Sequence, residues 1–265
     1  MILRRVIAHF KKQEWTAIAL DFLIVVVGVF VGLQVNNWNA AQADQRRGGV
    51  YVQRLIDDLQ VDLDYRRALL SYYAAVKASA DITVELMTSP APDPKALIVN
   101  AFRSTEFAYN PQTRATWDEI VSSGDLSLIP REALDAGLSL YFGVDVAQQT
   151  MDWVQRSPYR YRVRRTIPHA IQVSIRANCS DVRNDEGSVI GFANGCTFDV
   201  PEEELAAAAQ LLASDPELLM DLNYHFSTLN SGLANLRGDT VQLENAIRVL
   251  GGDPGAAPDV REEAP

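Results

Sequence analysis

Two kinds of hydrophobic pattern divide this chain. Between Trp15 and Trp38 the apolar residues follow one another almost without interruption, and from residue 16 to 35 the strongly polar side chains are Thr16, Asp21 and Gln34. At ~1.5 Å rise per residue a helix of that length covers roughly 30 Å, about the hydrocarbon thickness of a bilayer. A tryptophan at each end suits the membrane–water interfaces. The pattern predicts a transmembrane helix over 15–38. Beyond it apolar residues recur at helical steps of three, four and seven, which predicts amphipathic helices packed in water.

The first of these runs from Gly48-Gly49, a hinge or kink, to about Met87. Its stripe is Val52, Ile56, Leu59, Leu63, Leu70 and Tyr73, widened by Leu55, Leu69 and Val76, with Asp57, Asp58, Asp62 and Asp64 mostly off it. A proline-rich break over 89–94 follows, and Asp93-Pro94 caps a short helix to about Phe102. Asn110-Pro111 opens another helix that Gly124 terminates. A further one runs from Pro130 to about Gln155, interrupted at Ser157-Pro158. Residues 176–200 are the least helical part, with a short run at 188–192 suited to a small hairpin. Pro201 starts a helix with Glu202, Glu203 and Glu204 in its first turn, where the helix dipole favours negative charge. Ser214-Asp215-Pro216 caps the last helix, whose Leu219, Leu222, Phe226, Leu229, Leu233, Leu236, Thr240, Leu243, Ile247 and Leu250 form a heptad seam. The 50–87 helix matches it in length and is the expected partner. Gly251-Gly252 ends that helix, and 251–265 reads as a disordered tail.

Charge sets an expected orientation. Residues 1–14 hold Arg4, Arg5, Lys11 and Lys12 against Glu14, whereas 36–45 contain no Lys or Arg. The positive-inside rule puts 1–14 in the cytoplasm as a basic segment and 39–250 outside the inner (plasma) membrane, in the periplasm or beyond. A cleaved signal peptide ending at Ala41-Gln42-Ala43 is the alternative, although the apolar run exceeds the usual 7–15-residue signal core. Residues 39–265 carry 20 basic and 32 acidic residues, which argues against nucleic acid as a partner. The two cysteines, Cys179 and Cys196, lie on this side, flanking a segment rich in Asn, Asp and Gly. In an oxidising compartment they read as a disulfide; two unpaired buried thiols are the other reading.

Two blocks resemble a known family. Asp21, Val25, Val26, Gly28, Gly32, Gln34, Asn36, Asn37, Trp38 and Asn39 match the anchor pattern of an uncharacterised bacterial family of single-pass membrane proteins. The segment 116–129, TWDEIVSSGDLSLI, is similar to a second block of that family. The resemblance implies a helical, membrane-anchored protein and supplies no activity.

Catalytic constellations are missing. His9, His169 and His225 are scattered, and no H-E-x-x-H, G-x-S-x-G, Walker A or G-x-G-x-x-G pattern occurs. Asp181, Asp185 and Glu186 do not follow the spacing of a calcium loop. Arg156, Arg160, Arg162, Arg164 and Arg165, interleaved with Tyr159 and Tyr161, form a candidate anion-binding patch, or else pair internally. On the apolar helix Asp21 shares a face with Gly28 and Gly32, where a second transmembrane helix can approach closely. The expectation is therefore an all-α protein with an N-terminal transmembrane helix, an extracytoplasmic bundle of long helices, and a small disulfide-closed loop or hairpin. It needs no cofactor or metal and is no enzyme. It acts through contacts with the lipid bilayer and with another membrane protein or a second copy of itself. The alternative is a ligand-sensing bundle that signals through a partner.

Overall fold

The computed structural model describes residues 15–179, 181–185 and 187–255, with side chains from residue 19 onward. The expected cytoplasmic segment 1–14 and the tail beyond 255 lie outside these residues. The chain is mostly helical (77%) and divides into two compact units, 1–51 and 52–265. Helix α1 spans Trp15–Thr88. At Gly48-Gly49, where a hinge or kink is expected, the residues are helical. Each helical glycine is unfavourable by only ~1 kcal/mol against alanine, and propagation from long flanking helix outweighs that.

In the first unit, the large apolar side chains from Leu20 to Val35 are all exposed, by 46% to 71%. The helix that carries them is, among the described residues, the one long and apolar enough to cross a membrane.

In the second unit the chain continues as α2 (Pro94–Arg103), α3 (Ala115–Ser123), a short 3-10 turn and α4 (Arg131–Ala133). A π turn (Leu134–Leu138) leads into α5 (Ser139–Gly143), followed by α6 (Val146–Gln155), α7 (Pro158–Thr166) and α8 (His169–Asn178). A two-stranded antiparallel hairpin, β1 (Asp181–Arg183) with β2 (Val189–Phe192), precedes α9 (Glu202–Ala213) and α10 (Pro216–Val249). Cys179 and Cys196 are disulfide-bonded across that hairpin, with their Cα atoms 4.9 Å apart. The hairpin is pinned to the helices: Ser71 donates to the Ile190 carbonyl at 2.9 Å, and Arg103 donates to that of Ala193 at 2.6 Å.

Helix ends follow local chemistry. Asp93, Asp145 and Asp215 cap α2, α6 and α10 by accepting backbone N–H bonds from Lys95, Gln148 and Glu217 at 3.0 Å. Gly124 ends α3 in the left-handed region at φ 75°, which a side chain would strain. The helix expected from Pro130 to Gln155 is broken twice, at Gly137 (φ 110°) and again before the Asp145 cap. The helix expected to open at Asn110-Pro111 starts at Ala115. The intervening backbone serves other groups: the Thr113 N–H donates to Asp62 at 2.9 Å, and the Asn110 carbonyl accepts from Arg66 at 3.3 Å.

The buried residues of α1 include the series Leu55, Leu59, Asp62, Arg66, Leu69, Tyr73, Val76 and Ala80, flanked by Ile56, Leu63 and Tyr72, and those of α10 the series Leu218, Leu222, His225, Leu229, Gly232, Leu236, Asp239, Leu243 and Ala246, flanked by Leu233 and Ile247. Both series alternate steps of four and three, the repeat of helices packed side by side. They meet through ion pairs from Arg66 to Asp239 at 2.7 Å and from Arg67 to Glu244 at 3.4 Å. Two sequence expectations are corrected here. Asp62 lies in the seam of α1. Of the expected seam of α10, Leu222, Leu229, Leu233, Leu236, Leu243, Ile247 and Leu250 are buried, whereas Leu219, Phe226 and Thr240 are only half-buried beside buried His225, Gly232 and Asp239. A hydrophobic count skips polar and glycine members and so misses that flank of the stripe. The tail expectation also changes at its start: residues 251–255 fold back onto α1. Gln60 donates to the Asp253 carbonyl at 3.1 Å and Arg67 to that of Pro254 at 3.2 Å.

Candidate functional site

The residues expected to carry function fall in separate places. Asp21, Gly28 and Gly32 lie on the exposed apolar stretch of α1, and a Cβ on either glycine would meet nothing within 4 Å. The arginines of α7 diverge. Arg162 pairs with Asp215 (3.2 Å), Glu217 (2.7 Å) and Asp221 (2.8 Å) around the start of α10. Arg164 turns the other way, to Glu106 at 2.8 Å and over the Phe102 ring at 3.5 Å. Arg160 donates to the Thr105 carbonyl. Arg156 reaches Asp152 at 3.8 Å, and Arg165 is exposed. So the five do not gather on one face: Arg160 and Arg164 are tied to the 102–106 segment, and Arg162 to partly exposed acids around the start of α10. Cys179 and Cys196 border Arg103, which donates to the Cys196 Sγ at 3.4 Å. Among the described residues, no group of three His, Cys, Asp or Glu is placed to hold a metal ion.

Two arrangements were not foreseen. The first is a buried ionic network between α1, α10 and the 110–142 segment. Arg66, fully buried, donates from Nε to Asp239 at 2.7 Å and from Nη2 to the Tyr141 hydroxyl at 3.4 Å. The Tyr141 hydroxyl in turn donates to Asp62 at 2.6 Å. Asp62 also accepts from the Thr113 N–H and hydroxyl, at 2.9 and 2.7 Å. Burial pushes the Asp62 and Asp239 carboxyls above their usual range, while these hydrogen bonds and Arg66 act in the opposite sense. Spacing held the signal: Asp62 and Arg66 stand four apart inside an apolar repeat, where a charge has no reason to be unless it is paired.

The second is an open groove of about 880 Å³ between α6 and α10, bounded by the start of α7. Gln149, Asp152 and Trp153 line one wall, at helical spacing on α6; Tyr224, Thr228 and Ser231 line the other, on α10. The two helices come close at Gly232, where a Cβ would sit 2.7 Å from the Thr150 methyl group. Deeper in α10, fully buried His225 places Nε2 2.7 Å from the Ser104 carbonyl and stacks on Tyr159 at 5.1 Å. Its Nδ1 has no hydrogen-bond partner among the described residues. Burial lowers its pKa to about 4, against the smaller opposing effect of that hydrogen bond, so the imidazole is neutral at pH 7.

No protein-family model, curated protein or solved structure matches this chain.

Proposed function

We propose that this is a single-pass inner-membrane protein of the bacterial cell envelope, its N-terminus cytoplasmic and its helical bundle extracytoplasmic, acting as a structural or accessory subunit through protein contacts. One observation carries the reading: twelve large apolar side chains between Leu20 and Val35 are exposed all around α1. On an insertion scale such residues contribute roughly −0.3 to −0.6 kcal/mol each, about −4 to −7 together, against about +2.5 to +3.5 for an aspartate at the helix centre. The sum favours lipid with Asp21 included. Asp21 above Gly28 and Gly32 supports a docking face for a second transmembrane helix, a copy of this chain or a partner offering Lys, Arg or a hydroxyl. The resemblance of 21–39 and 116–129 to the uncharacterised anchored family points the same way. The disulfide fits an oxidising compartment.

Single-cysteine variants along 17–35, crosslinked in native membranes, test the docking face. Crosslinks recurring at 21, 25, 28 and 32, or a stoichiometric membrane protein co-purifying in detergent, is the expected result. Absence of both, with abundance and co-purifying proteins unchanged in Asp21→Leu, leaves the helix as an anchor alone and refutes the accessory-subunit reading.

A further inference from the structure

We propose that the groove between α6 and α10 binds a neutral oligosaccharide. This goes beyond membrane tethering and does not depend on it. The volume, about 880 Å³, is that of a small-molecule site. Two large aromatic side chains line it, Tyr224 66% exposed and Trp153 partly covered at 37%. Each offers a flat apolar face with a polar edge. A pyranose ring is built the same way, with C–H groups on its faces and hydroxyls around its rim. The rest of the lining suits the rim. Gln149 supplies an amide, Asp152 a carboxylate that accepts from Gln148 at 3.1 Å, and Arg156, 3.8 Å from Asp152, a forked donor.

The same lining disfavours other occupants. A lipid chain needs a continuous apolar wall, and here serine, threonine, glutamine and aspartate interrupt it. An anionic ligand would face Asp145 and Asp152 with Arg156 alone to offset them. A nucleic acid would further face a chain of net charge −10. An extended proline-rich peptide also seats on aromatic rings, and it is the competitor that the experiment separates.

The experiment is calorimetric titration of the full chain in detergent micelles with tetra-N-acetylchitotetraose, with cellotetraose and with a proline-rich decapeptide. Saturable binding of at least one saccharide is expected. It should weaken at least about tenfold in Trp153→Ala and in Tyr224→Ala, and stay unchanged in Tyr161→Ala, an exposed aromatic outside the groove. The exposure of Tyr224 predicts unchanged thermal unfolding in Tyr224→Ala. Binding of neither saccharide, binding indifferent to Trp153→Ala and Tyr224→Ala, or saturable binding of the peptide alone would overturn the proposal.

Discussion

Asp21 and Asp62 are two acids on one helix with opposite surroundings. Asp21 stands exposed among exposed leucines and valines, while Asp62 is fully buried and accepts hydrogen bonds from the Thr113 N–H, the Thr113 hydroxyl and Tyr141. Neighbouring sequence alone does not distinguish them, since both interrupt apolar residues. The period does. Around Asp21 the apolar residues cover every face of the helix, so no single protein neighbour can cover them and a lipid phase is the solvent that fits. Around Asp62 they form a stripe, and a charge in the stripe must bring its own partners. A fully connected polar cluster of this kind fixes register, because sliding α1 against α10 by one residue would separate Arg66 from Asp239.

The largest expected effect breaks the connected end of this comparison. Arg66→Ala leaves the Asp239 carboxyl buried without its cation and should destabilise the domain by about 3–5 kcal/mol, a large part of an ordinary domain's stability. Urea titration of the full chain in detergent, followed by circular dichroism, measures it. The double variant Arg66→Met with Asp239→Leu should recover most of the loss, and an unchanged midpoint in Arg66→Ala would mean that the network contributes nothing.

His225 comes next and works through pH. Its folded pKa of about 4 lies below the ordinary 6.5, so the unfolded chain binds more protons between those values. Its contribution is present above pH 6.5 and is lost as pH falls towards 4, by at most roughly 3 kcal/mol. Asp62 and Asp239 act in reverse, because their raised values favour the fold as they protonate. The expected signature is thus a difference: His225→Gln, which keeps a donor for the Ser104 carbonyl, should lose less stability than the parent between pH 6.5 and 4. Parallel curves would show that His225 does not titrate as its burial implies.

How much of this was legible in the sequence follows from the same contrast. Continuous apolarity over 20–35, the caps at Asp93 and Asp215, the end of α3 at Gly124 and the paired cysteines are local signals, and each can be read from a few residues. What escaped depends on residues far apart in the chain. Asn110–Arg114 looked like a helix start because Asn-Pro often is one, yet its backbone is held out by Asp62 and Arg66 on α1. Asp145 hid as one acid among many until α6 began behind it. The groove was invisible because Trp153 and Tyr224 stand on helices that meet only once the chain folds. The five arginines of 156–165 were legible as a cluster in sequence, but the helix turns them towards different acids.

A smaller effect sharpens the groove. Gly232→Ala would drive a methyl against Thr150, itself buried, and should destabilise by about 1–3 kcal/mol as α6 and α10 separate. A thermal scan detects it, and Thr150→Ser in the same chain should relieve it in part, because the atom in closest approach is the Thr150 methyl. An unchanged transition in Gly232→Ala would show the two helices to be more loosely packed than the structure has them.

The smallest expected effect on stability is at the other acid. Asp21→Leu should leave the domain's thermal transition unmoved, since its side chain is exposed within the first unit, while altering which membrane proteins co-purify.

Membrane anchoring with the domain outside is the central claim, and protease treatment of intact spheroplasts tests it most directly. With the full chain tagged at its N-terminus and expressed in a bacterial host, external proteinase K should remove the mass beyond the span 15–38 and leave a short tagged fragment in the membrane pellet after an alkaline carbonate wash. A full-length chain that resists digestion until the spheroplasts are lysed, or one that the carbonate wash releases into the supernatant, would contradict it.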